Sequence, residues 1–228
     1  TGGTEKIAQR IATVSSTHLG SGRNKLFIRG IADSSFTGPT QATVGQYLGD
    51  LRLSYNAPDP DLRLSDMERV EVLEGPQGTL YGSGSLGGII RLVPRTPEYG
   101  ESSLTLAGGA MHTDHGEPGG DGHATLNLPV GADAALRVNF DFASQGGYID
   151  KPGLGRRDVN RTQTLSGRAG LRMDLGPRWT LDLLGVAQET TASDSQYADR
   201  AGARLESSAR VQEGARARYG QVQTVLSG

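Results

Sequence analysis

The sequence contains no cysteine, which excludes disulfide scaffolds, thiolate zinc sites and cysteine nucleophiles together. Aromatic residues make up 5% of the chain, with a single tryptophan, and histidine occurs only at His18, His112, His115 and His123. No stretch approaches the roughly 18 consecutive apolar residues of a membrane-spanning helix, so a membrane role would have to use strands. The N-terminal TGGTEKIAQR lacks the charged-then-apolar layout of a secretory signal. Net charge is scarce too: 23 basic and 25 acidic side chains leave −2, with no global pull toward nucleic acid or an anionic surface.

Glycine is abundant. Its 34 copies in 228 residues are about twice the usual share and show no collagen period, which suits a β-rich chain of tight turns and close backbone approaches. Up to Pro97 the apolar runs are short and of mixed type. Lys6 to Val14 has a spacing nearer helix than strand, whereas 25–31, 43–53, 68–75 and 87–94 are β-branched or aromatic runs bounded by Gly, Pro or Asp and predict strands. The intervening DLRLSDM (61–67) predicts one helical turn, with Ser65 or Asp66 as its cap. The expectation is an α+β unit of about 95 residues, just large enough for its own core.

After Pro97 the grammar changes to strand-length segments at 103–111, 123–130, 135–142, 165–175 and 178–187, with a further one at 219–228. In the third, Leu136, Val138, Phe140 and Phe142 face one way and Arg137, Asn139 and Asp141 the other; in the fourth, Ala169, Leu171, Met173 and Leu175 oppose Arg168, Gly170, Arg172 and Asp174. Short turns at 131–134 and 175–178 and a long polar loop at 144–164 fit a transmembrane β-barrel, although a soluble β-sandwich or meander shows the same alternation. The chain stops inside a strand-like segment, which predicts a piece of a longer protein.

Two stretches suggest ligand chemistry. Gly82, Gly84 and Gly87 spell G-x-G-x-x-G, but no strand runs directly into them, a strand pattern and not a helix comes after, and no lysine stands ready for a phosphate, so nucleotide binding is rejected. Residues 112–123 gather His112, Asp114, His115, Glu117, Asp121 and His123, yet the stretch is Gly-rich and reads as a flexible hairpin turn and not a metal site. No Ser/His/Asp or paired-carboxylate arrangement stands out, so no enzyme activity and no cofactor are expected.

The stretch ERVEVLEGPQGTLYGSGSLGGIIRLVPRTP (68–97) strongly resembles the last part of the plug domain of TonB-dependent outer-membrane receptors, and FIRGI (27–31) and VGQYLGDLRL (44–53) resemble its two earlier motifs in order and spacing. Glu74 stands where the family more often has Arg, and Arg91 where Asn is commoner. The resemblance implies an α+β plug domain over 1–97 and then, over 98–228, the first antiparallel transmembrane strands of a 22-stranded β-barrel. Such a barrel needs roughly 200–240 residues of strand, and the residues after Pro97 suffice for about six strands.

By the same resemblance the protein sits in the outer membrane of a Gram-negative bacterium and imports a scarce nutrient, most often an iron–siderophore complex. Its implied partners are TonB, through a segment missing from this chain, the small-molecule substrate and outer-membrane lipid. Candidate substrate-binding residues are Ser34, Ser35 and Phe36, with Asp33, then Ser54, Tyr55 and Asn56, and Tyr81, for which packing against the wall is the alternative. Arg29 and Glu71, expected inside strand runs, are candidates for ionic contacts between plug and barrel. Gly75, Gly78, Gly82, Gly87 and Gly88 are read as packing and turn glycines. The rival reading is a structural or adhesive β-rich surface protein.

Overall fold

The computed structural model describes residues 2–17, 25–31, 42–54 and 61–228. Two compact units divide the chain, Gly2–Arg95 and Thr96–Gly228. In the first, helix α1 (Glu5–Arg10) precedes strands β1 (Val14–Ser16), β2 (Leu26–Ile28), β3 (Val44–Leu48), β4 (Leu51–Arg52) and β5 (Met67–Glu74), the single turn α2 (Gly78–Tyr81) and strand β6 (Gly88–Pro94). The four-stranded sheet has the order β4-β3-β6-β5, with β3 and β6 parallel and the other pairs antiparallel, while β1 and β2 pair separately.

The apolar run Ile89-Ile90-Arg91-Leu92 explains the central place of β6. Ile89, Ile90 and Leu92 are wholly buried, as expected of a strand flanked by neighbours and covered on both faces. Ile28, Val44 and Leu48 complete this core. Two sequence expectations change here. The run 43–53 is not one strand, because Gly49 and Asp50 turn it back so that Leu48 pairs Leu51. Residues 61–67 form no helical turn: Asp66 adopts a left-handed φ of 53°, and Asp61 accepts hydrogen bonds from the N–H and hydroxyl of Thr4 at 2.7 and 2.8 Å.

The second unit contains β7 (Ser103–Met111), β8 (Gly119–Pro129), β9 (Ala134–Gln145), β10 (Ile149–Asp150), a 3-10 turn (Pro152–Leu154), β11 (Thr162–Asp174), β12 (Thr180–Ala192), β13 (Arg200–Ala201), β14 (Leu205–Glu206) and β15 (Ala215–Ser227). Six long strands form an open antiparallel meander in the order β15-β12-β11-β9-β8-β7. Asn127, almost fully buried, donates to the carbonyls of Glu98 and Glu101 and accepts from the N–H of Glu98, fixing the entry into β7.

The alternation read from sequence is present, but its sense is inverted relative to a soluble sheet. Phe140 and Phe142 are 49% and 44% exposed, whereas Asn139 and Asp141 beside them are 3% and 1% exposed. The same holds across the sheet: Leu104, Leu106, Val138 and Leu165 are exposed, and Thr125, Thr164, Ser166, Arg168 and Gln188 are buried. A soluble sandwich would bury the leucines, so that alternative does not describe this sheet.

At one end of the meander the connections 130–133 and 175–179 are tight turns; at the other lie 112–118, 146–161 and 193–214. The two longest are stitched together. β10, from the first, pairs in parallel with β14, from the second, and β13 completes a three-stranded sheet that sequence reasoning missed. Lys151 and Asp194, 43 positions apart and both essentially without solvent exposure, form an ion pair at 2.7 Å. Asp194 also accepts the N–H groups of Ser195 and Glu213, and Lys151 donates to the carbonyl of Val211. Arg204 bridges Asp150 and Asp158 at 2.7 and 2.6 Å.

Burial pushes the carboxyl of Asp194 up, but the hydrogen bonds from Lys151 and the two N–H groups outweigh it and leave a net lowering. Burial likewise opposes, and Arg204 with the N–H of Asp158 overcomes, the shift at Asp150. A lowered carboxyl stabilises the fold fully above its ordinary value near ~3.9, and that contribution disappears as pH falls through the folded-state value. The stitched connections should therefore resist protease from neutral pH to about pH 5 and become cleavable only below about pH 4. At neutral pH, Asp194→Ala should cost the loop sheet about 3–5 kcal/mol by stranding the buried ammonium, and the double change K151M/D194L should cost less. Limited proteolysis within 193–214 measures both.

Candidate binding site

Three segments singled out in the first unit leave from one end of its sheet. Gly87 N–H donates to the carbonyl of Thr43, and Thr43 Oγ1 donates to the carbonyl of Ile31, at 2.9 and 3.1 Å. Tyr47 on β3 sets Tyr81 in place: the rings meet edge to face with centroids 5.0 Å apart, and Tyr47 Oη donates to the Tyr81 carbonyl at 2.8 Å. Ser54 joins the same end, because its Oγ accepts the Gln46 N–H at 2.9 Å and donates to the Val44 carbonyl. The strand ends thus bring together the exits of 32–41 and 55–60 and the turn at Tyr81.

The individual candidates fare differently. Asp33, Ser34, Ser35, Phe36, Tyr55 and Asn56 lie outside the described residues. Ser54 is buried, and its hydroxyl is occupied in closing β3 onto the chain after β4. Tyr81 is half-buried, with its ring against Tyr47. Its neighbours Leu80 and Leu86 are 82% and 64% exposed, and sequence reasoning missed both. The only signal for them was an apolar residue amid turn glycines, which by itself does not say which way a side chain points. The apex therefore offers apolar surface and one aromatic edge on a rigid backbone frame.

The glycines supply that frame. Gly88 is the most constrained: at φ 133° a Cβ would lie 2.2 Å from the carbonyl oxygen of Leu73, so no other residue fits where β5 and β6 converge. Gly75 and Gly82 take left-handed φ values at the turns on either side of α2. Gly87 packs against Ile31 and Thr43, whereas at Gly78 there is open space and nothing in the structure demands glycine. Gly82 to Gly87 lead into strand β6, so there is no helix N-terminus to receive a phosphate.

The charged candidates occupy two places. Arg29 is not within a strand; it comes after β2 in a turn at φ 54°, where its guanidinium lies 3.7 Å from Glu74, both groups substantially exposed. Glu71 is on β5 and accepts from Arg69 at 2.7 Å and Arg91 at 3.1 Å; these two hydrogen bonds, in that order, lower its carboxyl below the usual range. Arg91 also reaches Asp50 at 2.5 Å and the Gly49 carbonyl at 2.8 Å, clamping the β3–β4 turn. The pairs shown for Arg29 and Glu71 thus lie inside the first unit.

The His/acid stretch is dispersed. His112, Asp114, His115 and Glu117 are in the connection after β7, Asp121 and His123 on β8, and Glu117 is paired with Arg161 at 2.7 Å. Among the described residues no group of three or more His, Asp or Glu is arranged to hold a metal ion.

Residues 2–89 match the family described as the TonB-dependent Receptor Plug Domain. The pesticin receptor of Yersinia pestis is 30% identical over 138 residues, 59% of this chain and 20% of the relative. The solved structure of the ferric yersiniabactin uptake receptor from Yersinia pestis superposes with a TM-score of 0.70 at 21% identity, over 85% of this chain and 30% of that one. The ferripyoverdine receptor of the outer membrane of Pseudomonas aeruginosa gives 0.67 at 16% identity, over 99% and 29%. The chain spans about a fifth of the length of the curated relatives it matches. Residues 2–89 thus match the TonB-dependent receptor plug domain, and the antiparallel strands that come after them are similar in fold to the barrel strands of such receptors.

Proposed function

We propose that this chain is the plug and first wall strands of an outer-membrane transporter of a Gram-negative bacterium that imports a scarce nutrient, a ferric siderophore, with the boundary near Pro97 and a 22-stranded barrel in the whole receptor. The observation that carries this reading is an inverted wall succeeding a plug domain along the chain: apolar residues such as Phe140 and Phe142 are exposed and polar ones such as Asn139 and Asp141 buried, which suits strands facing lipid. Similarity to receptors named for ferric yersiniabactin and ferripyoverdine supports the substrate class. No bond in the substrate is made or broken; binding and displacement are the whole of the chemistry, and the protein is not an enzyme.

In this reading the end of the plug bearing Tyr81, Leu80 and Leu86 meets the substrate, using apolar and aromatic surface suited to a ring-bearing complex. TonB acts from the N-terminal side. There the Gly2 carbonyl accepts the Leu64 N–H and Thr4 is held by Asp61, so a pull on the N-terminus loads the segment leading into β5. β5 is paired along its length with β6, the core strand.

The test is uptake of radioactive iron, supplied as a panel of ferric siderophores, by cells expressing the full-length receptor. Uptake of at least one complex should require TonB, and uptake of none, or equal uptake without TonB, would refute the proposal. Tyr81→Ala should weaken binding of that complex about tenfold, roughly the value of one aromatic contact, while Tyr81→Phe should leave it nearly unchanged. Equilibrium binding to isolated outer membranes measures this difference.

A further inference from the structure

The exposed apolar face of the six-stranded sheet is interrupted by a shallow cavity of about 330 Å³. Register creates it. In one row across four strands stand Phe140, Gly167, Ala187 and Gly220, so a bulky ring is succeeded by three positions with little or no side chain. No atom comes within 4 Å of the place a Cβ would take on Gly167, so the space above it is open. Phe140 and Leu165, each about half exposed, form the apolar wall.

The next row toward the long connections brings charge to the lip of the cavity. Glu189 lies opposite Arg218, and its two carboxylate oxygens are 2.6 Å from Arg218 Nε and 3.2 Å from Arg216 Nε. Two guanidiniums on one carboxylate leave a net positive charge, and both arginines remain more than half exposed. Below this row the residues of β12 on the same face, Leu181, Leu183, Gly185 and Ala187, carry no charge. At ~3.3 Å per residue and a tilt of about 40°, Leu181 to Glu189 spans roughly 20 Å across the sheet, close to the ~25 Å apolar band of an outer-membrane barrel. Glu189 and its arginines therefore stand at the rim of the band, on the end that carries the long connections, which in such barrels faces outward.

We propose that this cavity is a binding site for lipid A, the phosphorylated and multiply acylated glycolipid of the outer leaflet; the inference rests on the outer-membrane reading above. One acyl chain lies over Gly167, Ala187 and Gly220 against Phe140 and Leu165, and a phosphate sits on Arg216 and Arg218. Guanidinium groups suit this role because their forked donors match phosphate oxygens. Glu189 holds both arginines at the lip without neutralising them. Charge and shape together select the occupant: an anionic head at the rim and an apolar chain running down the exposed face.

The experiment is native mass spectrometry of the full-length receptor extracted from outer membranes in mild detergent and incubated with purified lipid A, with phosphatidylglycerol and phosphatidylethanolamine as comparison lipids. Lipid A should be retained as a discrete adduct. Gly167→Leu, which fills the cavity, and the double change R216Q/R218Q, which removes the positive lip, should each reduce retention roughly tenfold. Absence of the adduct, or retention unchanged in both variants, overturns the proposal, and phosphatidylglycerol held as tightly as lipid A overturns the assignment of the occupant. Iron uptake by the wild-type receptor is measured in parallel. TonB-dependent uptake without retained lipid A refutes this inference alone, whereas a receptor that neither inserts nor transports refutes the functional reading and this inference with it.

Discussion

Asn139 and Asp141 are buried while Phe140 and Phe142, in alternation with them, face outward, and in water that arrangement is unfavourable at every second residue of the wall. Transferring an exposed leucine or phenylalanine side chain out of water is worth about 1.5–3 kcal/mol, and the wall presents many at once. The four inner strands are paired on both sides, whereas β7 and β15 each have one open edge. In the proposed reading an apolar medium on the exposed face meets the need of those outward side chains. The sense of the alternation follows from this single constraint.

The plug obeys the opposite rule and is built as an ordinary small globular unit. Its strongest element is β6, whose Ile89, Ile90 and Leu92 are completely buried, and the cost of bringing β5 so close is borne by Gly88, where any Cβ would strike the Leu73 carbonyl. The same backbone convergence holds the turn at Tyr81 in a fixed frame, with Tyr47 reaching across to its carbonyl. Leu80 and Leu86 remain exposed on this frame.

Periodicity alone made the wall legible: the alternation along 135–142 assigns side chains to the correct faces because strand period is fixed at two. It could not say which face is buried, since lipid-facing and core-facing alternation look alike. The motif ERVEVLEGPQGTLYGSGSLGGIIRLVPRTP likewise placed β5 and β6 but not the helical turn α2 between them, whose four residues are too few to carry a helical period. The break at Gly49 and Asp50 was hidden because apolar residues continue on both sides of it. At the candidate site, sequence pointed to turn and packing glycines, and the backbone constrains Gly75, Gly82 and Gly88 but not Gly78, whereas the burial of Ser54 depends on backbone partners at Gln46 and Val44.

The loop sheet shows most clearly what no local pattern contains. Lys151 and Asp194 come from connections separated by two full wall strands, and each in isolation is an ordinary polar loop residue. Lys151, Ser195 and Glu213 all donate to Asp194 Oδ1 and Lys151 also donates to the Val211 carbonyl, while Asp194 Oδ2 is buried without a hydrogen-bond partner, so the pair depends on this one convergence. A pair so dependent on its surroundings adds geometry more than stability. It fixes β10 against β14, and with Arg204 spanning Asp150 and Asp158 it turns two long connections into one folded body. Long connections ordered in this way hold their exposed side chains, Tyr197 and Val211 among them, in a defined arrangement, with the entropy of ordering spent in folding.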